Sequence, residues 1–135
     1  MHFLVTGADG YIGSHVVEQL IAQGYSVRGL AQYNSLGSAG WLDSLGGKSS
    51  LEIEWGDIRD PQQTISLCSG VDVVIHLAAL ITIPYSYVAP RSYLETNTIG
   101  TQNVLDAVRV QKVPRMVHIS TSEVYGSAQV VPISE

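Results

Sequence analysis

The sequence predicts an α/β fold, a doubly wound parallel sheet of five strands with flanking helices. Two patterns support this. Short apolar runs rich in β-branched residues alternate with segments whose apolar residues recur at helical spacing. Glycines directly follow the first run, which is typical of a tight strand-to-helix turn. Strands that alternate with helices pair in parallel through right-handed crossovers, so one sheet with helices on both faces is expected.

Five apolar runs are predicted as strands. The first ends in Thr6-Gly7 and is typical of a strand buried on both faces, and the last also resembles a buried strand. The third alternates apolar and charged residues, which favours a position near a sheet edge. The predicted strands are 2–5, 25–30, 51–55, 71–77 and 115–120.

Three helices are predicted between these strands. Helix 12–21 is ended by Gly24, and a second helix begins at the cap-and-proline pair Asp60-Pro61 and runs to about Cys68. Helix 92–110 is the longest. Residues 34–50 are rich in Gly and Ser and are predicted as a loop.

Composition narrows the class of protein. The 135 residues suit a single domain, 1–135. Hydrophobic residues make up 45% of the chain and charged residues 14%, and this composition argues against disorder. A net charge of −5 disfavours nucleic-acid binding. Cys68 is the single cysteine, so we expect no disulfide, no thiolate metal cluster and a cytoplasmic location. No signal-peptide pattern or membrane-length apolar run occurs, so we expect no membrane partner.

The first chemically informative motif is TGADGYIG, which places Gly7, Gly10 and Gly13 three residues apart between a strand and a helix. Such glycines permit a tight turn, close approach of a pyrophosphate and close packing of helix on strand. The helix N-terminus then offers the amides of Tyr11, Ile12 and Gly13 to the phosphates. An ordinary glycine-rich turn is the alternative, and the flanking strand and helix disfavour it.

TGADGYIGSH resembles the cofactor loop of the extended short-chain dehydrogenase/reductase family, the nucleotide-sugar epimerases and dehydratases. Its spacing, G-x-x-G-x-x-G, departs from the usual dinucleotide fingerprint. The resemblance implies a Rossmann-type domain that binds NAD or NADP. It also implies a nucleotide-sugar substrate and, for the full-length enzyme, a homodimer.

Three later stretches match motifs of the same family. GDIRD resembles the segment that binds adenine, which implies contacts from Asp57 and the Ile58 backbone. HLAA resembles the strand-four segment, where Leu77, Ala78 and Ala79 would lie against the cofactor and His76 is more simply a core histidine. NTIGTQNVL resembles the long-helix signature, whose asparagine, here Asn97, fixes local geometry.

The choice between NAD and NADP depends on the end of the second strand. A carboxylate there favours NAD, and a basic residue favours the 2′-phosphate of NADP. Residues 31–35 offer neither charge. Asn34 and Ser35 are able to hydrogen-bond either form, so NAD is the preferred prediction and NADP is not excluded.

STSEVYG, residues 120–126, resembles the catalytic segment of sugar-nucleotide 4,6-dehydratases. The resemblance implies that Thr121 hydrogen-bonds the sugar O4 and that Glu123 removes the C5 proton. Ser122 occupies the position at which the family has its catalytic acid. In the dTDP-glucose branch an aspartate is usual at position 122. Tyr125 is expected to shape the loop, and a polar strand-end loop without chemistry is the alternative for the whole string.

A serine at this position, as in Ser122, resembles the pattern of GDP-mannose 4,6-dehydratases and of UDP-glucuronate decarboxylases. IPYSYVAP together with residues 120–132 is most similar to the 4,6-dehydratases of legionaminic-acid synthesis, which act on nucleotide-linked N-acetylglucosamine. The predicted function is therefore nucleotide-sugar 4,6-dehydration. A UDP-glucuronate decarboxylase, a 4-epimerase and a non-catalytic dinucleotide-binding module are the alternatives.

No Tyr-x-x-x-Lys pair occurs in the sequence, although the family uses that pair in hydride transfer. We therefore expect the chain to be the N-terminal, cofactor-binding portion of a longer enzyme, with the C-terminal part of the family fold missing. Alone it is expected to bind dinucleotide weakly, to be inactive and to expose apolar surface.

Overall fold

The computed structural model describes residues 1–45 and 47–133. Five parallel strands form one sheet in the order β3-β2-β1-β4-β5. The chain moves outward from β1 to β3 and then returns to the other side of β1, so the order reverses between β1 and β4. The predicted doubly wound parallel sheet is confirmed. The strands are β1 (His2–Thr6), β2 (Ser26–Gln32), β3 (Leu51–Gly56), β4 (Val73–His76) and β5 (Arg115–His118).

The helices connect these strands. They are α1 (Tyr11–Ala22), α2 (Leu42–Leu45), α3 (Pro61–Leu67), α4 (Ile83–Ser86), α5 (Pro90–Tyr93) and α6 (Thr101–Gln111). A π-helical segment, Leu94–Gly100, joins α5 to α6, so the predicted helix 92–110 is one helical run with a wider middle. The prediction missed α2 and α4, since four residues are too few to show a helical period.

Local signals set the helix ends. The Asp60 carboxylate accepts hydrogen bonds from the amides of Gln62 and Gln63 at 2.9 and 3.1 Å, which caps α3 as predicted. Gly24 follows α1 with φ +83°, a conformation that glycine adopts without a steric penalty. In the part of the chain that the structure describes, no helix has the length and apolar character needed to cross a bilayer.

Two apolar cores lie on opposite faces of the sheet. Leu4 and Val74 point to the face covered by α3 and α6, whereas Val5 and Val73 point to the face covered by α1. This alternation follows from the two-residue period of a strand. Burial of β1 on both faces, predicted from its apolar run, is therefore confirmed.

The prediction for one edge strand of the sheet is confirmed, and the prediction for the other is wrong. The edge position of β3 is confirmed. The expectation that the last strand is buried is wrong, because β5 is the opposite edge and Val117 and Ile119 are 42% and 48% exposed. An apolar run indicates surface that a neighbour is able to cover, and no described element covers the outer side of β5.

Candidate cofactor and active site

The candidate site lies at the carboxyl edge of the sheet, where the strand order reverses between β1 and β4. Ligands of open α/β sheets bind at such a reversal. The loops after β1, β4 and β5 all leave from this edge, and together with the first turn of α1 they hold most of the predicted site residues. Since neighbouring strands are about 4.8 Å apart and β4 lies between β1 and β5, the ends of β1 and β5 are about 10 Å apart.

Two of the glycines in the first loop have no room for a side chain. Gly7 has φ +67°, and a Cβ there would lie 2.9 Å from the backbone N and Cα of Ala78. A Cβ on Gly13 would collide with the carbonyl oxygen of Gly7. The loop therefore packs against both the segment after β4 and the first turn of α1. Gly10 is less crowded, since its Cβ would lie 3.3 Å from the Gly7 oxygen.

The N-terminus of α1 has the properties of an anion site. Gly10 occupies the N-cap position and no side chain caps this end of the helix. The first turn carries no acidic residue, and Tyr11 and Ile12 are 73% and 60% exposed. The first amides of a helix and its dipole attract phosphate, so this turn and the glycine cradle fit a pyrophosphate.

A buried hydrogen-bond chain fixes the segment that touches Gly7. Thr6 Oγ1 accepts hydrogen bonds from the amides of Leu77 and Ala78 at 3.2 and 3.1 Å. Its own proton then goes to Nδ1 of His76, 2.7 Å away. This leaves Nε2–H of His76 to donate to Thr101 Oγ1 at 3.0 Å. The roles of Thr6 and Thr101 were not predicted, because their contacts join β1 to β4 and β4 to α6 and leave no local pattern in the sequence.

His76 is neutral in this chain of bonds. It is 2% exposed, and burial lowers its pKa to about 4, with a smaller contribution from His118. The two imidazole rings stack with centroids 5.4 Å apart. The prediction that His76 is a core histidine is confirmed.

Asp57 and Ile58, the predicted adenine contacts, follow β3. The Asp57 carboxylate accepts hydrogen bonds from Nε of Arg59 at 3.0 and 2.9 Å, and this guanidinium lowers the pKa of Asp57. The side chain of Ile58 is buried, and its carbonyl accepts a hydrogen bond from Asn103 at 2.9 Å. An adenine contact by Asp57 remains a prediction, and it would share the carboxylate with Arg59.

The predicted ribose contacts, Asn34 and Ser35, lie in the loop after β2. The Asn34 carboxamide donates to the carbonyls of Gln32 and Ser38 and accepts from the amide of Leu36, so it mainly folds its own loop. Ser35 is exposed in the same loop. Their part in cofactor binding remains a prediction.

Asn97 lies in the π-helical segment and holds the loop after β4 at two points. Its Oδ1 accepts from the amide of Leu80 at 2.8 Å, and its Nδ2 donates to the Leu80 carbonyl at 2.9 Å. This pairing agrees with a positioning role. It also anchors the chain next to Ala78 and Ala79, which were predicted to line the cofactor.

Thr121, Ser122 and Glu123 follow β5 at the same edge. Thr121 Oγ1 accepts a hydrogen bond from the amide of Glu123 at 3.3 Å, which caps the short 3₁₀ helix Ser122–Tyr125 and leaves the Thr121 proton free to donate. All residues from 117 to 133 are exposed. Tyr125 lines a small pocket of about 200 Å³ with residues 127–130 and 133. Their catalytic roles remain predictions.

Comparisons with known proteins agree with this arrangement. The family model described as GDP-mannose 4,6 dehydratase matches residues 4–135. A UDP-glucose 4-epimerase of Halalkalibacterium halodurans is 39% identical over 100% of this chain and 39% of its own length. A dTDP-glucose 4,6-dehydratase of Streptomyces antibioticus is 37% identical over 96% of this chain and 40% of its own length. The chain thus spans about two fifths of the length of these two relatives.

A solved structure resembles the fold closely. DesIV, a dTDP-glucose 4,6-dehydratase from Streptomyces venezuelae with NAD bound, superposes with a TM-score of 0.87 at 37% identity and covers 96% of this chain and 42% of its own. The family match and the fold lead to one assignment. The chain belongs to the nucleotide-sugar 4,6-dehydratase and epimerase family of the short-chain dehydrogenase/reductases, and its match is to the GDP-mannose 4,6 dehydratase model.

Proposed function

We propose that the chain is the NAD-binding, amino-terminal part of a nucleotide-sugar 4,6-dehydratase. One observation carries the proposal: the glycine cradle after β1 and the segment Thr121–Glu123 after β5 lie at the same edge of one sheet, with β4 between them. This edge offers phosphate-binding amides after β1 and, two strands away, a hydroxyl and a carboxylate after β5. A dehydratase needs both at one site.

The residues present fit a dinucleotide. Gly7, Gly13 and the first turn of α1 would hold the pyrophosphate, since a side chain on either glycine would fill the cradle. Asp57 would accept from the adenine, and Ala78 would lie beside the cofactor. The chemistry that NAD would supply when bound is reversible hydride transfer, from C4 of the sugar and back to C6.

The side chains after β5 would act on the sugar itself. The Thr121 hydroxyl would donate a hydrogen bond to O4. Glu123 would remove the C5 proton, which a 4-keto group makes acidic, and the C6 hydroxyl would leave as water with a proton from a neighbouring donor. Glu123 would return a proton to C5 when the hydride reaches C6. Ser122 orients or relays, because a serine hydroxyl is too weak an acid to take the place of a carboxyl group.

A 4-epimerase is the second candidate, because the matched epimerase is as similar as the matched dehydratase, at 39% and 37% identity. An epimerase inverts C4 and needs no base at C5, so Glu123 favours dehydration. A UDP-glucuronate decarboxylase and a non-catalytic dinucleotide-binding module are further alternatives. A pure binder needs neither Thr121 nor Glu123.

The test uses the complete enzyme that contains this chain. It is incubated in D₂O with NAD and, separately, with GDP-mannose, dTDP-glucose and UDP-N-acetylglucosamine, and the products are examined by NMR and mass spectrometry. Dehydration predicts a 4-keto-6-deoxy sugar with deuterium at C5, since solvent exchanges with the proton on Glu123. Plain inversion at C4, a pentose product, or no conversion would contradict it.

We also propose that the complete enzyme is a cytoplasmic homodimer. The free, buried Cys68 agrees with a reducing compartment. Leu94, Ile99 and Leu105, on the π-helical segment and α6, are 64%, 48% and 53% exposed and offer an apolar surface to a second copy. Sedimentation of the complete enzyme as a monomer at micromolar concentration would contradict the dimer.

A further inference from the structure

The end of β2 is the place where dinucleotide-binding folds distinguish NAD from NADP. An acidic residue there accepts hydrogen bonds from the ribose hydroxyls of NAD, whereas a basic residue donates hydrogen bonds to the 2′-phosphate of NADP. In this chain β2 ends at Gln32, and no Lys or Arg occurs between Arg28 and Lys48. The strand itself therefore supplies neither kind of residue.

A carboxylate reaches this position from the glycine loop. Oδ2 of Asp9 accepts a hydrogen bond from the backbone amide of Gln32 at 3.2 Å. The preceding residue, Ala8, donates its amide to the Leu30 carbonyl at 3.0 Å, which fixes the loop against β2. Among the described residues, none donates a hydrogen bond to Oδ1 of Asp9. Oδ2 thus holds this partly buried carboxylate at the end of β2, and Oδ1 keeps its capacity to accept a hydrogen bond.

The surroundings do not neutralise this charge. Arg59, at the end of the neighbouring strand β3, is engaged by the carboxylate of Asp57 and lies 3.9 Å from Glu95. Asp43, in the short helix α2 that follows the loop after β2, is a second carboxylate, and it accepts a hydrogen bond from Ser38 Oγ at 2.7 Å. A 2′-phosphate beside Asp9 would be repelled by this carboxylate, and the loop after β2 has no Lys or Arg that would offset the repulsion.

We propose that Asp9 is the residue that selects NAD over NADP, by accepting a hydrogen bond from the adenosine ribose and repelling a 2′-phosphate. The inference rests on the proposed dinucleotide site. It assigns to the glycine loop a task that the end of the second strand usually performs.

The test measures binding of two probes that carry only the adenosine end, ADP-ribose and 2′-phospho-ADP-ribose, to the full chain by calorimetry. The wild type is expected to bind ADP-ribose about tenfold more tightly, as repulsion between neighbouring partly solvated charges predicts. Asp9→Asn keeps an oxygen that can accept from Gln32 and removes the charge. The two affinities should then become nearly equal.

Asp106→Asn is the matched control. Asp106 is exposed on α6, where it pairs with Arg109 at 3.2 Å, and its replacement changes the net charge by the same amount. The preference for ADP-ribose should persist in this variant. Asp9→Ser, whose hydroxyl also accepts from Gln32, is measured in parallel, and circular dichroism verifies that each variant is folded.

The outcomes separate the two proposals. A wild type that binds neither probe overturns the dinucleotide site and this inference together. A wild type that binds ADP-ribose while Asp9→Asn keeps its preference within about twofold overturns only the role of Asp9. A preference for the 2′-phosphate in the wild type, or an equal change in Asp106→Asn, also overturns it.

Discussion

The imidazole of His76 and the hydroxyl of Thr6 share a buried hydrogen bond of 2.7 Å that joins the ends of β4 and β1. The same hydroxyl holds the amides of Leu77 and Ala78, and the other ring nitrogen of His76 bonds to Thr101. The strand end that touches Gly7 therefore depends on one histidine.

Replacement of His76 by Phe should destabilise the fold, because it leaves the Thr6 and Thr101 hydroxyls without their partner. We expect a loss of about 2–4 kcal/mol in the free energy of unfolding, measured in urea. His15→Phe is the control, because His15 is exposed on α1, and it should change stability by less than about 0.5 kcal/mol. Equal effects of the two substitutions would contradict the role given to His76.

The stability contributed by His76 should depend on pH. Its pKa in the folded protein, about 4, lies below the ordinary value of 6.5, so the folded state resists protonation. The contribution is complete above about pH 6.5 and falls by up to about 3 kcal/mol as the pH drops toward 4. The difference in unfolding free energy between wild type and His76→Gln should therefore shrink between pH 7 and pH 4.5. A constant difference would show that the ring is not buried in its neutral form.

Comparison of Gly7→Ala with Gly24→Ala distinguishes the cost of a steric clash from the cost of backbone strain. Both glycines have positive φ, +67° and +83°, but only Gly7 faces another chain segment, the backbone of Ala78. We expect Gly24→Ala to cost about 1 kcal/mol and Gly7→Ala about 3 kcal/mol or more, measured by urea unfolding. Equal losses would mean that the loop is able to move away from Ala78.

Asn97→Ala should loosen the loop after β4 with little effect on global stability, because Asn97 is exposed and water replaces part of its bonding. The expected loss is below about 1 kcal/mol. Hydrogen exchange of the Leu80 amide should accelerate, since that amide donates to Asn97. In the control, Asn103→Ala, which removes hydrogen bonds to Ile58 and Arg59, exchange at Leu80 should stay unchanged. Unchanged exchange in Asn97→Ala would contradict the positioning role.

Arg59→Ala should raise the pKa of Asp57, which the guanidinium now lowers. The stabilisation from this pair exists above the ordinary pKa of the carboxyl group and is lost as the pH falls below it. Because Asp57 is about one third exposed, we expect less than about 1 kcal/mol of stability. An NMR titration measures the shift, with Arg91→Ala, which removes the partner of Glu95, as the control. An unchanged Asp57 pKa in Arg59→Ala would contradict the pairing.

Local patterns predicted much of the fold. Apolar runs, helical periods, the Asp60-Pro61 start and the glycine loop all act within a few residues, and the structure agrees with them. The burial of β5 was predicted wrongly, because an apolar strand looks the same whether or not a neighbour covers it. The short helices α2 and α4 were not predicted, because four residues are too few to show a helical period.

Contacts between residues that are far apart in the sequence were not predicted for a different reason. The bond from Asp9 to Gln32 spans 23 positions, and the bond from Thr6 to His76 spans 70. Neither leaves a spacing in the sequence, because each depends on which strands become neighbours. The hydrogen bonds of Asn34 within its own loop were also not predicted, and its contact with the ribose remains a prediction.

Calorimetric titration of the wild-type chain with NAD tests the central claim most directly. We predict weak, saturable binding, and its loss in Gly13→Ala, where a methyl group would collide with the Gly7 carbonyl. A folded wild-type chain that binds neither NAD nor NADP would contradict the account.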